Sequence, residues 1–185
     1  MKDIPIISIN TERLTLKPLG LDFLSKIYLS WMQDDQVVHY MDTGGADYTL
    51  QMLEDYLKNI ENNKIFSWAI ILKNTNQHIG NIKIDPINYR HLYGEYGIMI
   101  GDKTTWGKGY AKEASIAVIN FCFTKLSLRK INLGVIANNA MALSLYRSLG
   151  FVEEGRLKKH ELINGTYKDK LRMALFRDYH DKQHI

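Results

Sequence analysis

The run Trp106-Gly107-Lys108-Gly109-Tyr110-Ala111 constrains this chain more than any other. It follows the apolar, strand-like Tyr96-Gly97-Ile98-Met99-Ile100 and opens a helical stretch. That helix has Ala111, Ala114, Ala117, Val118 and Phe121 on one face. Two glycines at a strand-to-helix junction let the backbone turn tightly and approach a ligand closely. The first N–H groups of a helix have no intrahelical partner and lie at the positive end of its dipole, so the junction suits an anion such as a phosphate. A triphosphate loop would need Ser or Thr after Gly-Lys, but Gly109 follows Lys108. A dinucleotide loop would need a third glycine where Lys112 stands. Taken alone, the run serves a plain turn as well as a binding loop.

A second motif lies downstream. Asn139 to Leu149 reads as a helix that starts at an Asn cap, carries an apolar stripe of Met141, Leu145 and Leu149, and stops at Gly150. Phe151 then begins a new strand. The two motifs in this order resemble the GNAT acyltransferase superfamily. Its loop pattern, Arg/Gln-x-x-Gly-x-Gly/Ala, maps onto Trp106 to Ala111, with Trp106 departing from the usual Arg or Gln. Its Asn, the Tyr seven residues on and the Gly-Phe after them map onto Asn139, Tyr146, Gly150 and Phe151. The resemblance spans Thr11 to Asp178. It is nearest to the branch holding ribosomal-protein N-terminal acetyltransferases and several amino-sugar acetyltransferases.

The remaining chain is consistent with one α/β domain over residues 1–185. Hydrophobic residues make up 45% and charged residues 24%, an ordinary globular composition. No apolar run is long enough to span a membrane, and the N-terminus has no signal pattern, so a cytoplasmic location is expected. The one cysteine, Cys122, reads as a buried, inert thiol. A net charge of +4 suits an anionic cofactor, but no basic run is interleaved with aromatics, so no nucleic-acid partner is expected. The histidines at 39, 78, 91, 160, 180 and 184 show no ligand spacing, so no metal is expected.

The elements read as follows. Arg13 to Lys17 is a strand ended by Pro18, and Leu21 to Met32 is a helix followed by a polar break at Gln33 to Gln36. Thr49 caps a helix with Leu50, Leu53, Tyr56, Leu57 and Ile60 on one face. Three strands follow: Phe66 to Leu72, His78 to Ile84 (stopped by Asp85-Pro86) and Tyr93 to Ile100. After the glycine loop and its helix come a strand at Ile131 to Ile136 and the Asn139 helix. Strands at Phe151 to Lys158 and Tyr167 to Phe176 turn at Asn164-Gly165. The resemblance implies a mixed, mostly antiparallel central sheet, flanked by helices and splayed where the cofactor binds.

The resemblance also implies acetyl-coenzyme A as donor and a primary amine as acceptor. The pyrophosphate would sit on the backbone of Trp106, Gly107, Lys108, Gly109, Tyr110 and Ala111. Ile98, Met99 and Ile100 would offer backbone N–H groups to the pantetheine and to the developing oxyanion, Met99 above all. Glu95 is the candidate base, directly or through water; a surface carboxylate paired with Lys or Arg is the alternative. Tyr146 matches the family tyrosine that gives a proton to the leaving thiolate, or else is a core aromatic. Asn139 matches a cofactor contact, or else is only a helix cap. Trp31, His39, Tyr40, Tyr89 and His91 would line the acceptor site. The acceptor is a protein N-terminal α-amine, a small-molecule amine or a nucleotide-linked amino sugar. A non-catalytic acyl-coenzyme A-binding regulator is the competing class, and homodimerisation is left open.

Overall fold

The computed structural model describes residues 4–178. In chain order the elements are β1 (Ile9–Asn10), β2 (Leu14–Pro18), α1 (Lys26–Met32), α2 (Asp35–Val38), α3 (Leu50–Asn62), β3 (Phe66–Leu72), β4 (His78–Asn88) and β5 (Tyr93–Ile100). Then come α4 (Tyr110–Thr124), β6 (Lys130–Ile136), α5 (Ala140–Ser148), β7 (Val152–Ile163) and β8 (Thr166–Phe176). The eight strands form one sheet in the order β1-β2-β3-β4-β5-β6-β8-β7. The pairs β1/β2, β2/β3, β3/β4, β6/β8 and β7/β8 are antiparallel, and β5/β6 is parallel. This is the mixed, mostly antiparallel α/β sheet expected. Its residues group into two compact units. The first runs to Asp85 and takes in Gly97–Val118; the second is Pro86–Tyr96 with Ile119 onward. The borders fall inside β4, β5 and α4 rather than in linkers.

In the first unit, α1 and α3 bury Tyr28, Trp31, Met32, Leu53, Leu57 and Ile60 in one cluster with Leu19, Ala69 and Ile71 of the sheet side. Every residue of β3 is buried, as a strand paired on both edges and covered by helices requires. Thr49 is the cap expected: its hydroxyl accepts the Met52 N–H at 3.2 Å. The helix expected over Leu21 to Met32 is instead a 3-10 turn at Leu21–Phe23 followed by α1. Ser25 causes the break, since its extended backbone and its hydroxyl cap the Tyr28 N–H at 3.1 Å. The polar stretch after α1 holds the short α2, capped by Asp34. Leu50 shares the face of Leu53, Leu57 and Ile60 but stands 43% exposed, as the first residue of α3 at the helix's open end. Pro86 does not stop β4, for proline removes a donor but keeps the extended backbone possible.

In the second unit, Asn139 caps α5 by accepting the Ala142 N–H at 3.1 Å. The buried stripe of α5 is Leu143, Tyr146 and Leu149, whereas Met141 is 68% exposed. The expected stripe of Met141, Leu145 and Leu149 was therefore rotated, because a nine-residue helix with apolar residues all round offers two plausible faces. The β7/β8 hairpin turns at Asn164 (φ 48°) and Gly165 (φ 73°), where both residues must be left-handed. Cys122 is buried, and burial pushes its thiol up.

Within the first unit β4 and β5 approach closely at Gly80. A Cβ there would overlap the Met99 carbonyl oxygen and lie 2.9 Å from the Ile100 Cα. Gly80→Ala is therefore expected to cost about 1–3 kcal/mol, since backbone cannot yield as a side-chain tip does. A thermal melt of that variant unchanged from the parent would refute the close approach.

Candidate active site

The glycine loop leaves β5 through a 3-10 turn at Lys103–Thr105, whose cap is Asp102 accepting the Thr104 N–H at 2.9 Å. Trp106 then fastens the loop to the strand it came from: the indole Nε1 donates to the Ile100 carbonyl at 2.9 Å. Gly107 (φ 73°) and Gly109 (φ 80°) both take left-handed conformations that other residues adopt at a cost. The other flank is held by Arg13 from the start of β2. Its Nη1 donates to the Lys108 carbonyl at 3.0 Å, and its guanidinium lies 4.6 Å over the Tyr110 ring. Its Nε donates to Glu113 Oε2 at 2.6 Å. Glu113, in the first turn of α4, also accepts from the Thr11 hydroxyl at 2.6 Å and the Arg13 N–H at 2.8 Å.

The Glu113 N–H bonds back to the Gly109 carbonyl at 3.1 Å. The loop N–H groups ahead of it, through Ala111, have no carbonyl four residues back inside the helix. A Cβ on Gly107 would meet nothing within 4 Å, so open space lies against the backbone there. These are the properties of a cradle for a pyrophosphate, and they fit coenzyme A rather than a metal ion as the ligand of the loop. Among the described residues no group of three His, Cys, Asp or Glu side chains could hold one. Arg13 and Glu113 could not be found from sequence, because 100 residues separate them.

Ile98, Met99 and Ile100 are half-buried on β5. The registered β5/β6 pairs are Tyr93–Lys130, Gly94–Ile131 and Glu95–Asn132; β5 then continues to Ile100 and β6 to Ile136. Gly101 closes the strand by donating its N–H to the Ile79 carbonyl at 2.9 Å. A Cβ on Gly101 would overlap the Trp31 indole, so that ring lies flat on the strand end. His78 joins Trp31 there at a ring separation of 4.8 Å, with Tyr28 at 5.6 Å and Phe23 at 5.0 Å from the imidazole. The His78 Nε2 lies 3.0 Å from the Gly80 carbonyl and 2.9 Å from Asn81 Oδ1, so that nitrogen carries the proton. Burial pushes the His78 pKa below the usual range.

The second unit holds Glu95, Tyr146 and Asn139. Both Glu95 carboxylate oxygens accept from Arg172, Oε1 from Nη1 and Oε2 from Nη2, each at 2.6 Å. Glu95 is thus paired with an arginine, and the pair is about one-third exposed. Tyr146 is 8% exposed, its ring 5.9 Å from both Tyr96 and Phe151. Burial pushes its phenol up to about 12 and keeps it protonated at neutral pH. The Asn139 side chain is engaged as the α5 cap. Of the five aromatics expected around the acceptor, three lie in the first unit and two in the second. Trp31, His39 and Tyr40 belong to the first unit, with His39 and Tyr40 4.4 Å apart. Tyr89 and His91 belong to the second, where His91 stacks on Tyr93.

Comparison with known proteins agrees with this geometry. The model of the acetyltransferase (GNAT) domain matches residues 13–152. An uncharacterized N-acetyltransferase, p20 of Bacillus licheniformis, is 31% identical over 173 residues, covering 90% of this chain and 94% of that protein. A crystal structure of spermidine N-acetyltransferase from Vibrio cholerae, in complex with CoA and spermine, superposes with a TM-score of 0.82. It is 30% identical and covers 92% of this chain and 99% of that one. Ribosomal-protein-S5-alanine acetyltransferase from Vibrio fischeri shares the fold, with a TM-score of 0.80 at 22% identity, covering 93% and 97% of the two chains. The chain belongs to the GNAT acetyltransferase family. It is an acetyl-coenzyme A-dependent N-acyltransferase.

Gly109→Asp is expected to abolish binding of coenzyme A in titration calorimetry, because it sets a carboxylate on the cradle and strains a positive φ. Unchanged affinity would remove the loop from the cofactor site.

Proposed function

We propose that this enzyme acetylates a primary amine of a small polycationic molecule, a polyamine being the first choice, by direct attack on the thioester. The observation that carries this reading is local charge. The segment from Gln33 to Asp47, which joins α1 to α3, holds Asp34, Asp35, Asp42 and Asp47 and not one Lys or Arg, although the whole chain has a net charge of +4. Such a segment attracts a polyammonium and repels the diphosphate of a nucleotide-linked sugar. One of the four is committed elsewhere: Asp34 pairs with Lys103 at 2.5 Å, which lowers its pKa. The likeness to a spermidine N-acetyltransferase supports the same choice. A protein N-terminal amine is the second reading, supported by the shared fold of the ribosomal-protein enzyme. The single thiol and the donor metabolite both suit a cytoplasmic location.

The residue roles follow from chemistry. Acetyl-coenzyme A supplies an acetyl group activated as a thioester. The N–H groups of Gly107 to Ala111 take the pyrophosphate, with Trp106 and Arg13 keeping the loop in shape. Ile98, Met99 and Ile100 lie on the strand from which the pantetheine and oxyanion N–H donors are drawn. An alkyl ammonium must lose a proton before its nitrogen can attack. Glu95 accepts it, directly or through water, since each carboxylate oxygen keeps a second lone pair while bonded to Arg172. The neutral Tyr146 phenol gives a hydrogen bond or proton to the departing sulfur.

With spermidine, spermine, an alanine-led peptide and an amino-sugar nucleotide as acceptors, release of the coenzyme A thiol is expected to be fastest with a polyamine. Turnover of the peptide or the sugar alone would overturn the polyamine reading, and binding without any turnover would favour a regulatory module. Tyr146→Phe should lower kcat about 100-fold with coenzyme A affinity unchanged; an unaltered kcat would take Tyr146 out of the acid role.

A further inference from the structure

We infer that Arg172 is a positioning residue for acyl transfer, and that Gly134 exists to let it reach Glu95. The inference rests on the reading of Glu95 as the base. Glu95 lies on β5 and Arg172 on β8, with β6 between them. Two inter-strand spacings, roughly 9–10 Å, separate the backbones, so the ion pair must pass over the middle strand. Facing side chains of a sheet normally meet only their immediate neighbours. Here the β6 residue in register with Arg172 is Gly134, and the β6 residue in register with Glu95 is Asn132. A Cβ on Gly134 would stand 3.1 Å from Arg172 Nη1 and 2.6 Å from Lys170 Cε. The bare backbone of Gly134 is therefore the floor over which the guanidinium lies.

The neighbouring charges are already committed. Lys170 pairs with Glu161 at 2.6 Å, and Lys130 pairs with Glu154 at 2.6 Å. The carboxylate of Glu95 is left to Arg172, which grips both oxygens and so fixes the plane of the group as well as its place. A single-point cation would hold one oxygen and leave the plane free to turn. Misplacement of a reacting group by about 1 Å can cost a hundredfold in rate, and a fixed carboxylate plane avoids that loss.

Steady-state kinetics on four variants test this. Arg172→Ala and Arg172→Lys should each lower kcat by roughly 10- to 100-fold, with the KM for acetyl-coenzyme A unchanged. Low millimolar guanidinium should restore part of the lost kcat to Arg172→Ala, which a merely structural arginine would not show. Gly134→Ala alters neither charge and should lower kcat in the same way, so the test survives if an Arg172 variant fails to fold. Glu95→Gln separates the two claims. If Glu95→Gln loses activity while Arg172→Ala and Gly134→Ala keep it, the positioning role is overturned and Glu95 stands as base. If Glu95→Gln keeps the parent kcat, the reading of Glu95 fails and the role of Arg172 fails with it.

Discussion

The short parallel ladder between β5 and β6 is the constraint that sets Glu95 in register with Asn132. Three registered pairs end at Glu95–Asn132, yet β5 runs on to Ile100. A strand must direct alternate N–H and C=O groups to opposite edges, and buried groups of this kind must find partners. β4 can serve one edge of β5 only. On the proposed reading, the N–H groups of β5 past Glu95 are the ones offered to a bound amide or a developing oxyanion. Gly101 ends the strand, Trp106 ties the loop back to Ile100, and the first turn of α4 follows at once.

The two compact units hold different candidate residues. The first holds the glycine loop, which is fastened by bonds made far along the chain: Arg13 and Thr11 reach Glu113, and Arg13 reaches Lys108. The second holds Glu95 and Tyr146, the groups proposed to handle protons, and their environments differ in kind. Tyr146 is shut among Tyr96 and Phe151, so it stays neutral. Glu95 sits part-exposed under a guanidinium, so it stays engaged with a cation. Adjacent residues of one strand face opposite sides of the sheet. Glu95 and Tyr96 accordingly meet different partners, an arginine and an aromatic cluster.

What was legible in the sequence was what short segments decide. The glycine loop, the Thr49 and Asn139 caps and the Asn164-Gly165 hairpin each rest on bonds spanning a few residues, and all are present. Errors arose where local signals competed. Ser25 cut a helix that apolar periodicity had joined, and α5 turned a different face inward than its Met and Leu spacing suggested. Pairs separated by 77 or 100 residues leave no local trace, so neither Arg172 at Glu95 nor Arg13 at Glu113 could be seen. His78 was counted among histidines without a metal pattern. Only the fold shows it enclosed by Phe23, Tyr28 and Trp31.

Cys122 has a practical bearing. It is the chain's one thiol, and α4 keeps it out of contact with solvent. A buried thiol whose ionisation is suppressed reacts slowly with disulfide reagents. Coloured disulfides that count free thiols will therefore register the coenzyme released at each turnover against a quiet protein background. Any cysteine introduced at the surface will be the sole attachment point for a dye or spin label, without removal of a native one.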